Sequence, residues 1–101
     1  MLYLNLAAGY LRIKDYKNSI SACNEALLID PRNIKALLRR SKCRTQNIKS
    51  EVSDLQKAIK DLKTASNFSS SNIVKKELAK AKRILLEYRK DLKATFRGIF
   101  S

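Results

Sequence analysis

Asp30-Pro31-Arg32-Asn33-Ile34-Lys35-Ala36-Leu37-Leu38-Arg39-Arg40 decides how the chain folds. Pro31 stands just beyond an apolar-periodic run, and its ring and missing N–H forbid that run to continue as helix. Asn33 offers a side-chain oxygen to the unbonded N–H groups of a new first turn. One helix therefore stops, the chain turns within about three residues, and another helix starts. The new helix carries Lys35 and Arg39 four apart, so both rise from one face and can reach one ligand. No acid lies among residues 33–50 to neutralise them.

Upstream, Leu2, Leu6, Tyr10 and Ile13 keep helical spacing, with Ala7, Ala8 and Gly9 on a flank where another helix can come close. Lys14-Asp15-Tyr16 is a short polar break. A second helix is predicted from about Lys17 to Ile29, with Ile20, Cys23, Ala26 and Leu27 inward and Ile29 as a further candidate. So short a break makes the two helices an antiparallel hairpin. A third helix runs from Asn33 to about Thr45, with Leu37, Leu38, Ser41 and Cys43 available for packing. After a polar stretch at 46–53, with Ser53 as a cap, a fourth covers Asp54 to Ser66 on the stripe Leu55, Ala58, Ile59, Leu62 and Ala65. Asn67 to Ser71 reads as a loop and Asn72 as a cap. The last helix carries Val74, Leu78, Ala81, Leu85, Tyr88, Leu92 and Phe96 as one narrow seam, its other faces crowded with Lys and Arg.

The bounds agree with an all-α domain. A chain of 101 residues, 45% hydrophobic, holds one small core at most. Two glycines and one proline are too few for the turns of a barrel or sandwich. No apolar run approaches the roughly 18 residues of a membrane span. The N-terminus lacks a basic segment ahead of an apolar one, so no signal peptide is indicated. Cys23 and Cys43 have no partner motif and fit reduced, buried thiols in a cytoplasmic protein. The net charge of +13 comes from two blocks: residues 34–50 hold six basic groups against no acid, and 72–101 nine against three. Such a balance points to acidic partners and says nothing of fold.

A search for internal repeats pairs Tyr3 with Leu37 and Ala7 with Ser41 at a shift of about 34 residues. With about five extra residues at 46–53, Ser19 pairs with Ala58, Cys23 with Leu62 and Ala26 with Ala65. This period and its small–large order resemble the tetratricopeptide repeat. Leu6, Ala7, Tyr10, Ala26 and Pro31 stand where that family places its leucine, small residue, tyrosine, alanine and closing proline. Ser19 and Cys23 depart from its usual alanine and aromatic; Arg40 and Arg44 sit where apolar or aromatic residues are usual. The resemblance implies antiparallel hairpins stacked as a short solenoid, with repeats at 1–33 and 34–66, an inserted loop near 46–53, and a basic capping helix at 72–101.

Leu2-Tyr3-Leu4-Asn5-Leu6-Ala7-Ala8 and Lys35-Ala36-Leu37-Leu38-Arg39-Arg40 are similar to the co-chaperone branch of the family. Its members hold the acidic C-terminal tail of heat-shock chaperones, ending Glu-Glu-Val-Asp, in a carboxylate clamp of two lysines, two asparagines and an arginine. Asn5, Lys35 and Arg39 match three of these positions; the others belong to a preceding repeat. Tyr88 to Phe100 is similar to the basic end of FKBP-type immunophilins, which implies an isomerase domain and an earlier repeat upstream. The chain itself, without histidine, metal-ligand cluster, phosphate loop or nucleophile beside a base, reads as a non-enzyme that needs no cofactor or metal.

Plainer alternatives stand beside these expectations. Lys35 and Arg39 could be a solvated face, and Asn5 a buried amide bonded to its neighbours. Arg40, Lys42 and Arg44 read as surface charge. The blocks 35–44 and 75–97 could bind nucleic-acid phosphates, although no motif or aromatic platform supports it. Leu92, Phe96 and Phe100 on a basic helix could engage calmodulin or an anionic membrane. The unpartnered N-terminal edge invites self-association.

Overall fold

A computed structural model of the protein describes residues 2–100, giving backbone alone at 95, 96, 99 and 100. Among the described residues, five α-helices follow one another: α1 (Leu2–Arg12), α2 (Tyr16–Ile29), α3 (Ile34–Gln46), α4 (Val52–Phe68) and α5 (Asn72–Phe100). Helices α1 and α2 form one hairpin and α3 and α4 the next; α3 also packs on α1 and α2, and α5 closes the far side against α4 and α3. No helix of the described residues is long and apolar enough to cross a membrane.

Local chemistry sets the helix ends. At the close of α1 the Lys14 N–H donates to the Leu11 carbonyl at 3.0 Å and the Asp15 N–H to the Tyr10 carbonyl at 2.9 Å. This crossed pair needs a left-handed residue at Lys14, whose φ is 61°. A lysine there carries a Cβ penalty that glycine lacks. Lys14→Gly is therefore expected to stabilise the fold by about 1 kcal/mol, raising Tm in a thermal melt by roughly 4–8 °C. Asp15 caps α2, accepting from the Asn18 N–H at 3.2 Å and the Asn18 amide at 2.7 Å.

The turn at Pro31 forms as its residues dictate. The Asp30 carboxylate accepts from the Arg32 N–H at 3.1 Å, the Asp30 carbonyl from the Asn33 N–H at 3.1 Å, and the Asn33 side chain from the Ala36 N–H at 3.1 Å. The Arg32 guanidinium lies 4.7 Å from the Phe68 ring centroid, tying this turn to the end of α4. Two expected caps are displaced. Helix α4 starts at Val52 with Glu51 as its cap in place of Ser53, the Asp54 carboxylate accepting from the Glu51 N–H at 2.9 Å, so the connector after α3 shrinks to 47–51. Helix α5 is capped by Ser71, not Asn72: the Ser71 hydroxyl accepts from the Ile73 N–H at 3.2 Å.

The core is thin and built from small residues. Ala7, Cys23, Ala36, Cys43, Ala58, Ala65, Val74 and Ala81 are wholly enclosed, with Leu37, Leu55 and Leu62 nearly so. Of the residues paired by the internal repeat, all but the half-buried Tyr3 are buried in their hairpins. Ser19 is tolerated in place of alanine because its hydroxyl donates to the Ala7 carbonyl at 2.8 Å. Helix α1 buries a different stripe from the expected one: Leu4 and Ala7 face the core, while Leu2, Leu6 and Ile13 lie outside it. Helix α1 has two apolar stripes, and α2 and α3 cover only one. Ile29 is likewise exposed. Along α5 the seam is buried at Val74, Ala81 and Leu85 and exposed by Leu92. The molecule measures 53 × 28 × 19 Å because α5 outruns the helices beneath it.

Candidate functional site

Helices α1 and α3 lie side by side where Leu4 meets Ala36 and Ala26. From α3 the Arg39 side chain crosses to α1, and its Nη1 donates to the Leu4 carbonyl at 2.9 Å. The guanidinium thus sits at the backbone of the residue that precedes Asn5. Asn5 is exposed rather than a buried amide, Lys35 is exposed one turn before Arg39, and Arg39 is half-buried. Lys42, three residues beyond Arg39 and half-buried, extends the same face of α3. None of these cations has an ion-pair partner among the described residues. A neutral amide beside a planar fork and a point charge can hold a carboxylate pair.

On the other edge of α3, Arg40 and Arg44 are not the surface charge that their sequence positions suggest. Arg40 grips Asp61 of α4 with both arms, Nε to Oδ2 at 2.8 Å and Nη2 to Oδ1 at 2.6 Å. Its Nη1 donates to the Asn24 side chain of α2 at 2.9 Å, and Arg44 Nη1 donates to Asp61 Oδ2 at 3.0 Å. Asp61 is only 6% exposed. Its hydrogen bonds, together with its charge, raise the Arg40 pKa above the ordinary guanidinium value despite burial. The Asp61 carboxylate thus ties α4 to α3, and the Arg40 guanidinium extends the tie to α2, while Arg39 turns the other way to α1. One signal for it stood in the sequence: an acid inside the α4 apolar stripe, opposite two arginines at positions where the repeat is usually apolar.

The remaining candidates fall in three places. Asn5 also lines an open groove of about 390 Å³ with Leu2, Leu6, Gly9, Tyr10 and Ile13, which is the unpartnered N-terminal edge. Leu92 is 49% exposed on α5, whereas the side chains of Phe96 and Phe100 lie outside the described residues. Cys23 and Cys43 are core residues. Burial, then the neighbouring Cys43, pushes the Cys23 thiol up to about 11, and burial raises Cys43 as well, so neither is a ready nucleophile at neutral pH.

Helical hairpins packed in series, each on its neighbour, define the class of helical-repeat scaffolds. No family model matches the chain. It is 31% identical to the peptidyl-prolyl cis-trans isomerase FKBP42 of Arabidopsis thaliana over 102 residues, covering 97% of this chain and 26% of that protein. It is 35% identical to the DnaJ protein P58IPK homolog of the same plant over 91 residues, 89% of this chain and 18% of that protein. It is 36% identical to the Hsp70/Hsp90 co-chaperone CNS1 of Saccharomyces cerevisiae over 72 residues, 71% of this chain and 16% of that protein. The chain belongs to the tetratricopeptide-repeat domains of co-chaperone proteins. It spans between 16% and 26% of the length of these relatives.

Proposed function

We propose that the chain is a protein–protein interaction module of a chaperone-associated protein, and that it holds the C-terminal carboxylates of an acidic Glu-Glu-Val-Asp-type tail through Asn5, Lys35 and Arg39. Relatives that include a named Hsp70/Hsp90 co-chaperone support the broader role. The single observation that carries the site is the Arg39 bond to the Leu4 carbonyl at 2.9 Å, which holds a guanidinium next to Asn5. That bond uses one arm of the fork, and a guanidinium has further N–H donors for a ligand. A terminal residue with two carboxylates offers matching acceptors, and charge-assisted bonds of this kind are the strong ones. The chain acts here by binding and not by catalysis; an isomerase activity would belong to a separate part of a parent protein.

Binding to nucleic acid is the weaker alternative. Arg40 and Arg44 are turned to Asp61, so the block 35–44 does not present one continuous cationic face. Isothermal titration separates the two. A peptide ending Glu-Glu-Val-Asp with a free C-terminus is expected to bind, and its C-terminal amide to lose about 30-fold or more, the worth of at least one charge-assisted bond. Equal binding of both peptides, or displacement of the free-acid peptide by any DNA with a steep salt dependence, counts against the clamp.

A further inference from the structure

A second recess lies between α4 and α5, and α1 touches neither helix. Ile59, Lys60, Lys63 and Asn67 of α4 face Lys82 and Leu85 of α5 around a space of about 490 Å³. No acid lines it. Among the described residues both ion pairs go to Asp61, so Lys60, Lys63 and Lys82 carry none. Asp61, next in sequence to Lys60, is turned to Arg40 and Arg44 on the far side of α4. Three exposed lysines thus line one recess that offers them no counter-charge of its own. Between them sit the half-buried Ile59 and the nearly buried Leu85, which give the recess an apolar floor.

We propose that this recess is a second docking site, distinct from the clamp, for an internal acidic peptide segment bearing one apolar side chain. Carboxylates would meet Lys60, Lys63 and Lys82, the Asn67 amide would serve a backbone carbonyl, and the apolar side chain would cover Ile59 and Leu85. Charge complementarity together with the floor selects this occupant. Single-stranded nucleic acid would want an aromatic platform, and none lines the recess. An anionic membrane would want a convex or flat basic face, whereas these lysines rim a hollow. The site needs no free chain end, so it stands or falls separately from the clamp.

The test is fluorescence anisotropy at physiological salt with a labelled, acetylated and amidated peptide, Glu-Glu-Leu-Glu-Glu, whose blocked ends cannot use the clamp. Wild-type protein is expected to bind it. Lys60→Glu, Lys63→Glu and Lys82→Glu together should weaken binding about tenfold, three exposed ion pairs each worth a small factor. Replacing the three by glutamine should give a smaller loss in the same direction in a fold left undisturbed. Reversal of the exposed Lys17, Lys49 and Lys76 makes the same change in net charge and should cost less than about threefold. A glycine in place of the peptide leucine should also weaken binding, and Lys35→Ala should leave it unchanged. The proposal is overturned if wild type does not bind, if both lysine sets matter equally, or if leucine and glycine peptides bind alike. Oligo-dT or anionic vesicles engaging Lys60, Lys63 and Lys82 in preference to the peptide would equally reassign the recess.

Discussion

Asp61→Ala is expected to destabilise the domain by about 2.5 kcal/mol, a fall in Tm of roughly 10–20 °C in a thermal melt. The substitution deletes the common acceptor of three hydrogen bonds, from Arg40 Nε, Arg40 Nη2 and Arg44 Nη1. It leaves two guanidinium groups, one turn apart on α3, turned toward α4 with no counter-charge. Removing one partner of a fully buried pair costs about 3–5 kcal/mol. Here the arginine side chains keep 22% and 16% of their exposure and can turn partly to water, which lowers the figure. Replacing all three, as Arg40→Met, Asp61→Leu and Arg44→Met, should recover most of the loss, because it also removes the desolvation of three charges. A melt in which Asp61→Ala matches wild type within 0.5 kcal/mol would show that the carboxylate fixes nothing.

The second large effect falls on binding. Lys35→Ala and Arg39→Ala are each expected to weaken a Glu-Glu-Val-Asp peptide by about 2–3 kcal/mol, some 30- to 150-fold, which puts binding below detection for a weak ligand. The two differ in what they do to the fold. Lys35 is exposed and bonds nothing among the described residues, so Lys35→Ala should leave circular dichroism and Tm unchanged. Arg39→Ala also removes the bond to the Leu4 carbonyl and should cost about 1 kcal/mol of stability while keeping the helical content. Arg39→Lys restores a charge but not a fork that can hold Leu4 and a ligand at once, so it should recover only part of the affinity. Titration of the three variants with one peptide decides the matter. Wild-type affinity in Lys35→Ala would remove that residue from the site.

Much of this protein is local, and what is local was legible. The stop at Pro31, the cap at Asn33 and the stripe of α4 and early α5 depend on neighbours within about four residues. Sequence periodicity therefore determined the helix count, the hairpins and the family. Asn5, Lys35 and Arg39 came as a set from the resemblance to the co-chaperone branch, and the titrations above test that set. Tertiary structure decided the rest. Helix α1 has two apolar stripes, and only the placement of α2 and α3 chose Leu4 and Ala7 over Leu2, Leu6 and Ile13. Arg40 and Asp61 are 21 residues apart in the chain, and no local rule says which of two adjacent arginines finds the acid. The fold answers by geometry: Arg40 turns toward α2 and α4, while Arg39 reaches α1. A side chain's partner depends on which helices surround it, and that is settled only when the whole stack packs.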